Sequence, residues 1–337
     1  MRLIGLIIAF SAIDALAQEV GLPNWALGPF EKVPQPVMPP NPDASFECPV
    51  LGKLVRWEAQ NVYNPAAIVR EGKVNLLYRA DDEPRAEGWG RTCRTGLAMS
   101  GDGRDFLRLP RPVIYPDKDA FEKLEWEGGC EDIHVVEDES GTYYANYTAW
   151  DGRNDTLMVA TSKDLLRWQK RGPAFAKAYG GRYVPHTRTG VVVARRDGER
   201  LVATKINGKY WMYWMIGCYL ATSDDLVNWS PVTDADGKLI SALTPRKGSF
   251  DSASCEAGAI ALSTDSGIVL MYNAENAKPE NGGGATLPAG FSSLGQALFD
   301  KDDPSKLIAR LDKPFLRVEH DWEREGFASN ALVSNGL

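Results

Sequence analysis

The sequence predicts an all-β fold, a five-bladed β-propeller whose last blade stops short of its closing strands. Three observations carry that expectation. Glycine-opened strand segments recur along the chain, a second short motif recurs in step with them, and no long segment keeps a 3.6-residue apolar period.

The first repeated element runs from Gly72 to Tyr78, Gly141 to Tyr147, Gly208 to Trp214 and Gly267 to Tyr272. Each copy is rich in β-branched and aromatic residues, which suit a pleated, half-buried surface. The second element runs from Leu97 to Asp102, Val159 to Asp164 and Leu220 to Asp225, with a degenerate copy from Gln296 to Asp300. In the first three copies a strand ends in Ser and an Asp-containing turn, after which Phe106, Trp168 or Trp229 restarts the chain. Copies lie about sixty to seventy residues apart, the period of four-stranded blades with long loops. A pair of β-sandwiches predicts closer strands and a parallel β-helix a repeat near twenty residues, so neither matches. The 32 Gly and 21 Pro punctuate the whole length, against long helices.

The two ends frame this array. Met1-Arg2, the apolar run Leu3 to Phe10 and Ala15-Leu16-Ala17 have the three parts of a secretory signal peptide, so residues 1–17 are expected to be removed and the protein exported. Asp14 interrupts a stretch already too short for a bilayer, which weighs against a membrane anchor. Residues 18–337 are then expected to form one propeller. At the far end, Asn330 to Leu337 falls where a further strand pair is needed to close the ring.

Composition excludes several functions. The net charge of −7 is spread with both signs interspersed, leaving no basic stripe for a nucleic-acid backbone or an anionic membrane. Cys48, Cys93, Cys130, Cys218 and Cys255 are odd in number, scattered and without a CxxC pair, and read as buried small residues within strands. The three histidines, His134, His186 and His320, have no metal-ligand spacing. There is no GxSxG elbow, no phosphate-binding GxxxxGK[ST] loop and no GxGxxG before a helix, so neither a serine triad nor a nucleotide cofactor is implied. Oligomeric state is left open.

Abundant carboxylates and aromatics suit a sugar ligand, because hydroxyls need paired polar partners and ring faces stack on Trp or Tyr. Polar residues at equivalent ends of different blades converge in a propeller, which selects Asn64, Arg79, Arg94, Asp132, Lys205, Asp251 and Glu256. Asp132 follows Gly128-Gly129, where a small-residue turn permits close approach to a pocket. On residues alone, Glu131-Asp132 is open between an exposed acidic turn and a catalytic carboxyl group. Arg94, Arg153, Arg188 and Lys205 would bind an anion if they met at one mouth, and are otherwise ordinary salt-bridge partners.

The sequence resembles glycoside hydrolase family 130, the inverting β-mannoside phosphorylases and related mannosidases. The likeness is carried by Asn64-Pro65-Ala66, Leu77-Tyr78-Arg79-Ala80, Arg94-Thr95-Gly96-Leu97-Ala98 and Gly128-Gly129-Cys130-Glu131-Asp132. It continues through the Ser-Asp turns with Trp168 and Trp229, Asn207 to Trp214, Pro245-Arg246, Phe250-Asp251-Ser252, Tyr272-Asn273 and Gly295 to Asp300. The Lys209 to Trp214 and Ala297 to Asp300 stretches look most like the mannosylglucose phosphorylase branch. The resemblance implies phosphorolysis of β-1,4-linked mannosides such as mannosyl-glucose. Asp132 would deliver its proton through the sugar 3-hydroxyl, and inorganic phosphate would be co-substrate and nucleophile, with no cofactor and no metal. Arg94, Lys205, Arg153 and Arg188 would contact phosphate; Asn64, Arg79, Asp251, Glu256 and Tyr272 would hold the sugar.

Departures accompany the likeness. Ile133-His134 stands where the family has Pro-Arg, His186 to Gly190 replaces Ser-Lys-Ser-Gly, and Glu256-Ala257-Gly258-Ala259 replaces Glu-Pro-Gly-Pro. They leave two further readings: hydrolysis by water with Glu256 as base, and a carbohydrate-binding propeller without catalysis.

Overall fold

A segment apolar on both sides, Ile268 to Tyr272, becomes a strand buried on both faces and so sits mid-sheet. The computed structural model describes residues 21–85 and 90–336; the leader expected over residues 1–17 lies outside them. A two-stranded ribbon, β1 (Phe46–Cys48) and β2 (Lys53–Val55), precedes four antiparallel sheets.

Sheet I contains β3 (Asn61–Arg70), β4 (Lys73–Asp81), β5 (Cys93–Ser100) and β6 (Leu107–Arg108). After the one-turn helix α1 (Glu122–Glu125), sheet II contains β7 (Gly129–Glu137), β8 (Tyr143–Trp150), β9 (Asp155–Ser162) and β10 (Gln169–Pro173). Sheet III is built on β11 (Gly190–Asp197), which pairs at its end with β12 (Arg200–Ala203) and at its start with β14 (Lys209–Trp214). The short β13 (Lys205–Ile206), β15 (Tyr219–Ser223) and β16 (Trp229–Pro231) complete it. Sheet IV contains β17 (Ser254–Thr264), β18 (Gly267–Glu275) and β19 (Ser292–Phe299), with β20 (Leu307–Arg310) and β21 (Leu316–Arg317) both on β19.

Parallel pairings join the sheets: Cys93 with Gly129, Glu137 with Val202, and Val193 to Arg195 with Ala261 to Ser263. The fold is all-β, and the strand-per-sheet pattern follows the sequence repeat. Five blades were expected; among the described residues four such sheets form, beside the β1–β2 ribbon. Apolar clusters lie between consecutive sheets, with Leu77, Ile133 and Met158 in one, Val159, Val192 and Trp214 in the next, and Val193, Tyr213, Phe250 and Phe299 in a third. All five cysteines are buried and unpaired. They are more than apolar filler, since Cys93 Sγ lies 2.9 Å from Asp81 Oδ1 and Arg310 donates to Cys255 Sγ at 2.8 Å.

A polar triad recurs with the repeat. In sheet I the Tyr78 hydroxyl donates to Glu58 at 2.9 Å and Arg108 meets the same carboxylate at 3.0 Å. In sheet II Tyr147 donates to Glu125 at 2.7 Å and Lys170 pairs with it at 2.5 Å. In sheet IV Tyr272 donates to Asp251 at 2.8 Å and Arg310 pairs with it at 2.6 Å. Each unit takes its tyrosine from the second strand and its cation from the outer strand, and seals a carboxylate that is nearly or wholly inaccessible. A buried charge is tolerable only when so paired. Sheet III departs, its Tyr213 hydroxyl donating to the carbonyl of Pro304 at 2.8 Å.

Candidate active site

The inner strands of three sheets break register near the same end: β3 between Tyr63 and Ala66, β7 between Glu131 and His134, β17 between Ala257 and Ala261. Bulges of this kind re-aim side chains out of the sheet. Asn64 (φ 45°) and Asp132 (φ 49°) sit in the left-handed region at two of them, and Thr189 (φ 48°) occupies the corresponding point just before β11. Such backbone is costly for non-glycine residues and is a mark of functional sites. Together these positions turn Asn64, Asp132, Arg188, Thr189 and Glu256, one or two from each sheet, toward a single cavity of about 610 Å³.

Gly129 has φ 110°, and a Cβ there would lie 2.1 Å from the carbonyl oxygen of Cys93. Gly128 faces the Trp150 ring in the same way. The close approach read from Gly-Gly is therefore real, but it is strand against strand, not loop against pocket. It puts Glu131 and Asp132 inside β7, both buried, which overturns the exposed-turn reading.

Asn64 Nδ2 donates to Asp132 Oδ1 at 2.7 Å, Arg79 to the same oxygen at 3.1 Å, and Arg188 to Oδ2 at 3.1 Å. Arg79 is itself fixed by Glu131 at 2.8 Å and by the Tyr63 ring, whose centroid lies 4.6 Å from its guanidinium carbon. Burial works to raise the Asp132 carboxyl, but Arg79, then Arg188 and Asn64, outweigh it and hold it at about 2. Glu256 accepts from Thr189 Oγ1 at 3.0 Å and lies 3.9 Å from Arg188 Nε. Burial pushes Glu256 up more than Arg188 pulls it down. The two carboxyl groups are thus driven apart, with Arg188 between them.

The structure brings together Asn64, Arg79, Asp132, Arg188 and Glu256 of the residues expected from sequence. It does not bring Arg94, Arg153, Lys205, Asp251 or Tyr272 to this cavity. Arg94 is wholly buried and bonded to Asp82 at 3.0 Å beneath the first ribbon. Arg153 is exposed in the turn between β8 and β9, and exposed Lys205 sits over the Tyr210 ring at 4.9 Å. Asp251 and Tyr272 are spent on the sheet IV triad. Arg94, Lys205, Asp251 and Tyr272 each have a partner that their own sheet supplies, and long-range convergence was not needed to satisfy them.

Sequence reading missed Tyr63 and Thr189 and gave Glu131 no site role; Tyr63 and Glu131 each adjoin a left-handed residue, and Thr189 is one. Their signal is positional: the residues flanking each bulge face the cavity or brace what does. His134, two residues beyond Asp132, donates from Nε2 to the carbonyl of Gly258 at 2.9 Å, tying β7 to the bulge of β17. Burial pushes its pKa down to about 4, so the ring is neutral and carries no charge toward an anion.

Comparison with known proteins adds an independent finding. A family profile described as β-1,4-mannooligosaccharide phosphorylase matches residues 42–336. A 1,2-β-oligomannan phosphorylase of Thermoanaerobacter sp. (strain X514) is 33% identical over 286 residues, 83% of either chain. A glycosyl hydrolase structure from Bacteroides ovatus superposes with TM-score 0.86 at 41% identity, over 90% of this chain and 86% of that one. Another solved structure, with TM-score 0.89 and 40% identity over 94% and 89% of the chains, comes from work on hydrolases among the mannoside phosphorylases that target β-1,2 mannosidic linkages in Candida mannan.

Proposed function

This chain belongs to glycoside hydrolase family 130, and we propose that it cleaves β-linked mannosides with water as the attacking nucleophile. The carrying observation is that Asp132 and Glu256 share the Arg188 guanidinium in one cavity. Carboxyl groups bridged by one guanidinium lie within roughly 10 Å of each other, which admits the roughly 6.5–9.5 Å gap by which inverting glycosidases accommodate a water. The spread of Arg94, Arg153 and Lys205 away from Asp132 supports the same choice.

In this reading Asp132 gives its proton to the glycosidic oxygen as the bond to the anomeric carbon breaks. Glu256 takes a proton from water, whose oxygen attacks that carbon from the opposite face and leaves α-mannose. Asn64 and Arg79 hold the sugar hydroxyls. Arg79 and Arg188 keep Asp132 ionised, so substrate binding must loosen these contacts for it to act as an acid. Arg188 is the one to yield: it is a third exposed and also touches Asp155 at 3.6 Å. Moving it toward Glu256 raises the acid and lowers the base together.

A second reading, phosphorolysis, is favoured by Arg188 itself, the one of the four expected phosphate ligands that lines the cavity, and by the kinship to a phosphorylase. Phosphate would then replace water and yield α-mannose 1-phosphate. For linkage, the named relatives and the hydrolase work point to β-1,2, and β-1,4 mannosyl-glucose is the competitor from the sequence reading. Export by residues 1–17 and a five-bladed ring belong to the same proposal.

The test is release of sugar from β-1,2-mannobiose and from β-1,4-mannosyl-glucose, each with and without phosphate. Equal mannose release in both conditions supports hydrolysis. Release that requires phosphate and yields sugar phosphate establishes the second reading, and no release with tight binding leaves a carbohydrate-binding module.

A further inference from the structure

We propose that Phe327 and Trp322 form a stacking platform at the cavity mouth for sugar residues on the leaving-group side, so that the protein selects manno-oligosaccharides longer than a disaccharide. This rests on reading the cavity as a mannoside site. The cavity has a closed floor: Asp132 and Arg79 are buried, and Asp81 and Cys93 behind them have no exposure. A sugar chain therefore enters end-first, and the residues beyond the scissile bond lie toward the opening.

The opening changes character. Its lining includes Trp322 and Phe327, 43% and 55% exposed, with Glu325 between them in sequence. Large aromatics left this exposed forfeit the stabilisation of burial. Both are nevertheless held in place. The Phe327 ring lies 5.8 Å from Tyr63 at 31°, and the Arg91 guanidinium covers it at 4.0 Å. Trp322 stacks on His320 at 5.7 Å and 10°, and its Nε1 donates to the carbonyl of Pro34 at 3.2 Å. Tyr63 links the two ends, since one ring meets both Arg79 at the floor and Phe327 at the rim. An oriented aromatic with an open side is what the C–H face of a hexose packs against.

The experiment measures steady-state kinetics of wild type, Phe327→Leu and Trp322→Leu on β-1,2-linked di-, tri- and tetrasaccharides. The expected loss in kcat/KM grows with length, from at most about twofold on the disaccharide to about tenfold on the tetrasaccharide, with KM carrying it. Phe327→Tyr restores the length dependence. A loss equal at all lengths, or none, overturns the platform while leaving the mannoside reading standing. If wild type turns over no mannoside, that reading fails by itself. Titration of Asp132→Asn protein with the same oligosaccharides then decides the platform: emission changes that strengthen with length and vanish in Trp322→Leu support it, and their absence overturns it.

Discussion

Asp132 and Asp251 are two buried aspartates, each held by two arginines, and they do opposite things. Asp251 is gripped by Arg310 and Arg246 and capped by Tyr272, with no exposure left for a ligand. Asp132 is gripped by Arg79 and Arg188 and capped by Asn64, yet it borders a cavity, and Arg188 is a third exposed. Burial and ion pairing are therefore no guide to function by themselves. What separates the two is the bulge, which turns Asp132 out of its sheet, whereas Asp251 precedes β17 and locks its own sheet together.

The sharpest way to break this comparison is to neutralise both. Asp132→Asn is expected to lower kcat by about 10²–10⁴-fold, the usual worth of a positioned proton donor, with a smaller loss of stability than the Asp251 variant because Arg79 keeps its pair with Glu131. Asp251→Asn is expected to cost about 3–5 kcal/mol of stability, because Arg310 is left buried without its partner, while kcat per folded molecule is kept. Denaturant titration and kinetics on both variants check this. A stable, inactive Asp251 variant would put it in the site after all.

His134 gives the next effect. Its folded pKa of about 4 lies below the ordinary imidazole value of 6.5. As pH falls from 6.5 toward 4 the unfolded chain takes up a proton that the folded one refuses, so stability declines across that window, by about 3 kcal/mol. His134→Gln keeps a donor for Gly258 and should flatten that part of the stability profile. Asp132 acts lower down: its depressed pKa adds stability that is present above the usual carboxylate range and is lost as pH falls through about 2. Acid unfolding of Asp132→Asn should lack that last step. The smallest effects are expected from Arg153→Ala and Lys205→Ala, which should change stability by no more than about 0.5 kcal/mol and leave sugar release untouched. A strong loss of phosphate-dependent release in either would revive phosphorolysis.

Much of the fold was legible because a repeat is a local property. The glycine-opened segments became β4, β8, β14 and β18, and the Ser-Asp turns recur with the same bonds, Ser100 to Asp102, Ser162 to Asp164 and Ser223 to Asp225. Asn64, Arg79, Asp132, Arg188 and Glu256 were all named from sequence and all meet. The repeat also misled, since it places Asp251 and Tyr272 at ends as regular as those of the true lining residues. No periodicity tells a carboxylate that seals a sheet from one that faces a cavity.

The sequence by itself determined the all-β class, the strand repeat and the acidic pair at Glu131-Asp132, since these depend on residue type and spacing along a short stretch of chain. Tertiary structure decided which charges converge, because that depends on register breaks in strands far apart in sequence. It is the left-handed turn at Asp132 and the answering bulges of neighbouring sheets that bring Arg79, Arg188 and Glu256 to one carboxylate, while Arg94 and Lys205 find partners at home.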